Sequence, residues 1–271
     1  MALSHEPPRI GVAATAPFGA DVLERLAPDH EIAWVLTRPD RPAGRGRKET
    51  PPAAKVAAER LGLEVRQPER PTEEDIAGVD TIVLVAYGVL IPKPLLDAAL
   101  WLNVHPSLLP RWRGAAPVER AILAGDEESG VSIIKLVEEL DAGPIAAQRR
   151  FPIAEDDAGA VYEKAAAAAA DLVRDVVARR HELEFRPQGG EPTYAAKLEP
   201  SDRELDPTDP EDALRRIRAL SPHIGARAEV NGRPVTIWRA RLGDAGELVP
   251  LEVQPDGRRR MSYEEFLRGL R

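Results

Sequence analysis

The chain of 271 residues contains no cysteine. Disulfides, thiolate metal sites and redox control through thiols are therefore excluded. No stretch approaches the roughly 18 apolar residues that a membrane span requires. The opening residues, MALSHEPPRIGVAA, lack the basic region and long apolar run of a secretory signal. No membrane partner and a cytoplasmic location are expected. The first strand–turn–helix, GVAATAPFGADVL, lacks the three-glycine spacing that lets a pyrophosphate approach the backbone. Gly-x-x-x-x-Gly-Lys-Ser/Thr, His-Glu-x-x-His and Gly-x-Ser-x-Gly are all absent, and the five histidines are scattered. A nucleoside-triphosphate loop and the commonest serine-hydrolase turn are thereby removed, and no metal is expected.

What is present is an ordinary globular composition, 43% hydrophobic and 30% charged. It is long enough for one large core and a smaller module. The formal charge of −8 argues against wholesale coating of nucleic acid, but it is unevenly spread. Residues 207–271 carry 12 Lys+Arg against 10 Asp+Glu, which leaves the remainder more acidic than the average. Arg38, Arg41, Arg45, Arg47 and Lys48 crowd a short segment around a single acid, Asp40. Localised basic spots on an acidic body suit contact with phosphates at a few places.

RIGVAA (Arg9–Ala14) followed by an amphipathic stretch predicts a strand feeding a helix. EIAWVL (Glu31–Leu36) predicts a second strand, running into a Pro-, Gly- and Arg-rich segment that suits neither a helix nor a central strand. DTIVLVAY (Asp80–Tyr87) is the strongest buried-strand signal. Further strands are expected at Trp101–His105, Val131–Val137 and from Ala147, and a long helix over Asp156–Arg186. The alternation predicts an α/β fold: a Rossmann-like, mostly parallel sheet with helices on both faces. Beyond a turn-rich stretch, Asn231–Gly232 marks a hairpin, and Ser262 with Glu265 a capping box. The expected division is 1–188, a linker at 189–206, and a small β-rich module at 207–271.

Leu102–Asp126 carries the chemistry. A strand ends at Asn103-Val104-His105 and enters a proline-bounded loop. In open α/β sheets ligands bind beyond the carboxyl ends of strands, and residues two apart on a strand face the same side. The next strand, VSIIKLV, ends in EELDAGPI and is expected to bring Asp141 out at the same end of the sheet. Amide, imidazole and carboxylate suit acyl transfer to an amine. Asn103 or a protonated His105 supplies a donor for the tetrahedral oxyanion, and Asp141 or a water it orients takes the amine proton. Each residue alone also fits a plain structural role: strand-end cap, satisfied histidine, turn-initiating aspartate. The ordered combination is what points to chemistry.

NVHPSLLPRWRGAAP (Asn103–Pro117) resembles the signature of folate-dependent formyltransferases, in which an Asn-x-His pair precedes a Ser-Leu-Leu-Pro turn. GVSIIKLVEELDAGP carries an aspartate that matches the catalytic aspartate of the same family. The resemblance spans roughly residues 9–270. It implies that Asn103, His105 and Asp141 are catalytic and that 10-formyltetrahydrofolate is the donor. It also implies that Ser107, Leu108, Leu109 and Pro110 line the folate pocket, with Tyr87, Gly88, Leu90, Leu136 and Leu140.

Thr37–Arg70 resembles the basic loop of the branch that formylates initiator methionyl-tRNA for translation initiation. That likeness implies tRNA contacts from Arg38, Arg41, Arg45, Arg47 and Lys48, a C-terminal module of OB-like barrel type that aids tRNA binding, and a monomer. The chain departs from the family at Ala14–Gly19 and at Ser221–Ala226, and its C-terminal module is shortened between Trp238 and Leu251. These departures leave the trio untouched. The alternative acceptor is a small amine such as a nucleotide-linked amino sugar, for which the basic loop has no use.

Overall fold

The computed structural model describes residues 8–43 and 48–270. The chain forms two compact units from interleaved segments. The first comprises Met1–Arg113, Gly130–Arg150 and Glu163–Pro192, and the second Gly114–Ser129, Phe151–Tyr162 and Thr193–Arg271.

In chain order the elements up to residue 105 are β1 (Arg9–Ala14), α1 (Pro17–Leu26), β2 (Glu31–Leu36), β3 (Arg41–Ala43), β4 (Lys48–Thr50), α2 (Ala53–Arg60), β5 (Val65–Arg66), β6 (Thr81–Val85), α3 (Lys93–Ala98) and β7 (Leu100–His105). There follow β8 (Arg113–Gly114), α4 (Pro117–Leu123), β9 (Glu128–Lys135), β10 (Ile145–Pro152), α5 (Ala158–Ala178), β11 (Tyr194–Ala195), α6 (Pro210–Leu220), β12 (Ala226–Val230), β13 (Arg233–Leu242), β14 (Leu248–Pro255), β15 (Met261–Ser262) and α7 (Tyr263–Arg268).

The first unit is built on a seven-stranded sheet in the order β10-β9-β7-β6-β1-β2-β5. Strands β7, β6, β1, β2 and β5 run parallel. All five residues of β6 are buried, as expected for the centre of a parallel sheet. Trp34 on β2 lies across Gly11 on β1, where any Cβ would run into the indole ring. The indole N–H is satisfied by the Ala77 carbonyl at 3.0 Å.

Strand β9 departs from the parallel pattern. It lies antiparallel to β7, with His105 opposite Ser132 and Leu102 opposite Lys135. A parallel neighbour needs a crossover of a dozen or more residues, usually helical. The only helix in the connecting segment is the seven-residue α4, which belongs to the second unit. The carboxyl end of β9 therefore points back along β7, and Asp141 does not emerge from a parallel strand end.

Helix α5 covers less than the expected Asp156–Arg186. Asp157 caps it by accepting the Ala160 N–H at 2.9 Å. It ends at Ala178; the Arg179, Arg180 and Glu182 N–H groups then bond three residues back in turns, and Arg186 exchanges two backbone hydrogen bonds with Ile145, of 2.7 and 2.9 Å. Within it Ala165, Ala166, Ala168, Ala169 and Ala170 are buried, so the alanine run is a close-packed helix face.

The second unit holds an antiparallel sheet in the order β12-β13-β14-β15. Asn231 (φ 51°) and Gly232 (φ 70°) make the β12–β13 turn, both in the left-handed region that such two-residue turns require. Ile217, Leu220, Val235, Ile237, Val253 and Phe266 form its core. Ser262 caps α7 by accepting the Glu265 N–H at 3.1 Å. Strand β13 passes into β14 through a short turn at residues 243–247. Among the described residues no helix is long and apolar enough to cross a membrane.

Candidate active site

Strand β7 is followed by Pro106, which has no N–H to continue a ladder, so the strand ends at His105. Asn103 and His105 project together from this last stretch. Asp141 meets them by doubling back. After β9 the Leu136 N–H binds the Trp101 carbonyl at 2.9 Å, and the Lys135 N–H binds the Pro144 carbonyl at 2.9 Å. The loop 136–144 is thereby closed at its base and returns Asp141 to the carboxyl end of β7. Gly143 permits this, because a Cβ there would run into the Lys135 carbonyl.

One carboxylate spans both partners. Asp141 Oδ1 accepts from Asn103 Nδ2 at 3.1 Å, and Oδ2 lies 3.6 Å from His105 Nδ1. Asn103, Asp141 and His105 are only 6%, 7% and 5% exposed. His105 Nε2 lies 2.8 Å from the Trp112 carbonyl oxygen, which can only accept, so Nε2 carries a proton. Asp141 (φ 50°) and Trp112 (φ 65°) both hold left-handed backbone conformations that non-glycine residues seldom adopt. Such strain persists only where surroundings over-determine it, and it gathers at functional sites.

The Ser-Leu-Leu-Pro turn is fastened by two residues that sequence reasoning missed. Ser132 Oγ donates to the Ser107 carbonyl at 2.6 Å and accepts from the Leu109 N–H at 3.1 Å and from Gln148 Nε2 at 2.8 Å. Gln148 also donates to the Leu109 carbonyl at 2.9 Å. Ser107 Oγ donates to the Arg111 carbonyl at 2.6 Å. Ser107 and Leu109 are buried, and Leu108 and Pro110 are half-buried. The one signal for Ser132 was a hydroxyl inside the otherwise apolar run Val131–Ile134.

The structure separates the other expected pocket residues by kind. The Tyr87 ring is buried in the core with Trp34 and Trp101, and burial pushes its hydroxyl up to about 12. Tyr87 is only 1% exposed, and Thr15 Oγ1 holds its carbonyl at 2.8 Å. Gly88 (φ 76°) turns the chain, and Leu90 stands 83% exposed. Leu140 is 59% exposed, whereas Leu136 packs against the core.

Of the expected tRNA contacts, Arg45 and Arg47 lie outside the described residues. Arg41 and Lys48 sit on a small antiparallel hairpin, β3–β4, and are exposed. Arg41 is 3.8 Å from Glu69. Arg38 lies apart, half-buried, with Nη1 facing Gly88. The root of the hairpin is clasped by Asp40, which accepts from Lys55 Nζ at 2.7 Å and from Gln67 Nε2 at 2.8 Å. Gln67 also donates to the Arg38 carbonyl at 2.8 Å. The hydrogen bonds from Gln67 and then Lys55 hold the Asp40 carboxyl below its usual range, and Asp40 raises Lys55.

A buried amide, imidazole and carboxylate at the carboxyl edge of a mostly parallel sheet, beside a clamped turn, define an α/β group-transfer enzyme. The chain belongs to the formyl transferase family, whose model, described as "Formyl transferase", matches residues 10–177. A methionyl-tRNA formyltransferase from Ruegeria pomeroyi is 44% identical over 260 residues, covering 92% of this chain and 86% of that protein. Among solved structures, methionyl-tRNA formyltransferase from Clostridium thermocellum aligns with a TM-score of 0.66 at 18% identity, over 92% of this chain and 98% of that one. The sugar 3N-formyl transferase WlaRD, solved with dTDP and 5-N-formyl-THF, aligns with a TM-score of 0.67 at 15% identity, over 94% and 100%. These two likenesses concern the fold alone. The protein is a formyltransferase.

Proposed function

We propose that the protein transfers the formyl group of 10-formyltetrahydrofolate to the α-amine of methionyl initiator tRNA, in the cytoplasm, for translation initiation. The shared carboxylate of Asp141 carries the chemical part of this reading. The amine nitrogen bonds to the formyl carbon, and the carbonyl oxygen becomes an oxyanion. Asn103 uses one N–H on Asp141 and keeps the second for that oxyanion. Asp141, alone or through a water, accepts the proton from the attacking nitrogen. The carbon–N10 bond of the donor then breaks, and N10 takes up a proton.

For the donor, exposed Leu90 and Leu140 offer apolar surface to a flat ring, and exposed Gly88 offers backbone hydrogen bonds. Ser107, Leu108, Leu109 and Pro110 form the clamped wall beside it. For the acceptor, the observation that counts is the clasped β3–β4 hairpin, whose strands and connecting residues bring Arg41, Arg45, Arg47 and Lys48 together in sequence. Arginine pairs bidentately with phosphate, and exposed cations on a held hairpin suit an RNA backbone. In this reading residues 1–188 carry the chemistry, 189–206 link, and 207–271 add tRNA contacts.

The fold likeness to a sugar 3N-formyl transferase defines the second reading, an amino-sugar acceptor. The test is incubation with 10-formyltetrahydrofolate and charged initiator tRNA, followed by detection of N-formylmethionine. Formylation of a nucleotide-linked amino sugar in place of methionyl-tRNA would overturn the acceptor assignment while keeping the reaction.

A further inference from the structure

Asp141 occupies its left-handed conformation at the end of a loop that has reversed direction, so something outside the loop must fix it. Gln188 does so. Its Nε2 donates to the Asp141 carbonyl at 2.7 Å and to the Gly143 carbonyl at 2.8 Å. Its Oε1 accepts from Arg113 Nε at 3.1 Å and Nη2 at 2.8 Å. Both N–H bonds and both lone pairs of the amide are thus used, and a flipped amide would set oxygen against two carbonyls. Arg113 is only 8% exposed and its Nη1 reaches Glu139 on the same loop at 3.4 Å.

The neighbour of Arg113 is Trp112, whose carbonyl accepts a hydrogen bond from His105 Nε2. One dipeptide, Trp112–Arg113, therefore steers the imidazole through its backbone and the carboxylate through Gln188. We propose that Gln188, oriented by Arg113, is a positioning residue for formyl transfer that acts through Asp141. This rests on the reading that Asp141 serves the attacking amine.

The experiment is a double-mutant cycle in the full-length protein, with kcat and KM measured for formyl transfer to methionyl-tRNA. Gln188→Glu keeps the acceptor for Arg113 but replaces the amide N–H groups with a carboxylate oxygen facing two carbonyls. Displacing a reacting group slightly costs about 10- to 100-fold in kcat, and that loss is expected here. KM for both substrates should stay within about twofold, because the interaction lost is one made in the transition state. Added to Asp141→Asn, Gln188→Glu should cause little further loss, since it has nothing left to position. Arg113→Lys, which keeps the charge but gives up the paired N–H donors, should show the same pattern more mildly, and it decides the matter should Gln188→Glu fail to fold.

An equal fold-loss in the wild-type and Asp141→Asn backgrounds would overturn the proposal, as would an unchanged kcat in Gln188→Glu. Wild-type rates in Asp141→Asn alone would instead overturn the reading of Asp141, and the proposal with it. A wild-type protein that formylates another amine changes only the substrate on which the cycle is run.

Discussion

The strand-end trio and the β3–β4 hairpin solve opposite problems of placement. Asn103, His105 and Asp141 are buried and are held by one another, by the Trp112 carbonyl and by the Gln188 amide. The hairpin is exposed and is tied down at its root by half-buried Asp40, which accepts from Lys55 and Gln67. Buried polar groups are costly unless satisfied, so the partners that satisfy them also fix their geometry. The hairpin's own charges are exposed, so a clasp at its root restrains direction without demanding one geometry. The trio is placed by buried hydrogen bonds; the hairpin is placed by a tether.

The largest expected effect lies on the buried side. His105→Ala should lower kcat for formyl transfer by about 10- to 100-fold, because it removes the imidazole packed against the Asp141 carboxylate and lets that carboxylate shift. Folate affinity, followed by titration, should hardly change. Turnover at the wild-type rate would remove His105 from the chemistry and leave it a strand-end structural residue.

Next comes the wall of the site. Ser132→Ala strands the Leu109 N–H and removes the hydroxyl that donates to the Ser107 carbonyl, at a fully buried position, while Gln148 keeps the Leu109 carbonyl. Leaving buried groups unmade costs about 1–3 kcal/mol, measurable by urea unfolding, and KM for the folate should rise with it. A variant as stable as wild type, with unchanged KM, would show that the turn keeps its shape without Ser132.

How much of this was legible in the sequence differs between the two regions. Asn103 and His105 were legible because a strand's two-residue period puts them on one side whatever the neighbouring strands do. Asp141 was legible as a residue but not as a path. The antiparallel course of β9 depends on what the intervening segment packs against, and periodicity does not encode that. Gln188 left no signal, being one polar residue in a Pro- and Gly-rich stretch with no repeat to stand out from. The run of cations was plain, but Asp40, Lys55 and Gln67 are spread over 27 positions and meet only in the fold. Helix α5 was overextended because helix propensity continues past Ala178, where the chain passes into turns before Arg186 pairs with Ile145.

On the exposed side, neutralising Arg41 and Lys48 together should weaken tRNA binding across sequences. It should also lessen the slope of log K against log salt by about one per lost phosphate contact. An unaltered slope would mean that these cations face solvent in the complex too. The kcat at saturating tRNA should stay near wild type, unlike that of His105→Ala.

The smallest effect tests the clasp itself. The lowered Asp40 carboxyl contributes stability that is present above its unfolded pKa and lost as pH falls through the lower folded value. The raised Lys55 contributes stability that is complete below its unfolded pKa and lost as pH rises through the higher folded value. Across about pH 5 to 9 neither group titrates, so the clasp stays closed throughout that window. Lys55→Met should therefore raise KM for methionyl-tRNA modestly and by the same factor at both ends of it, with kcat retained. A factor that grows toward either end would mean that another titrating group holds the hairpin. A fall in kcat without a change in KM would erase the distinction between tether and site, and would place Lys55 among the residues that shape the chemistry.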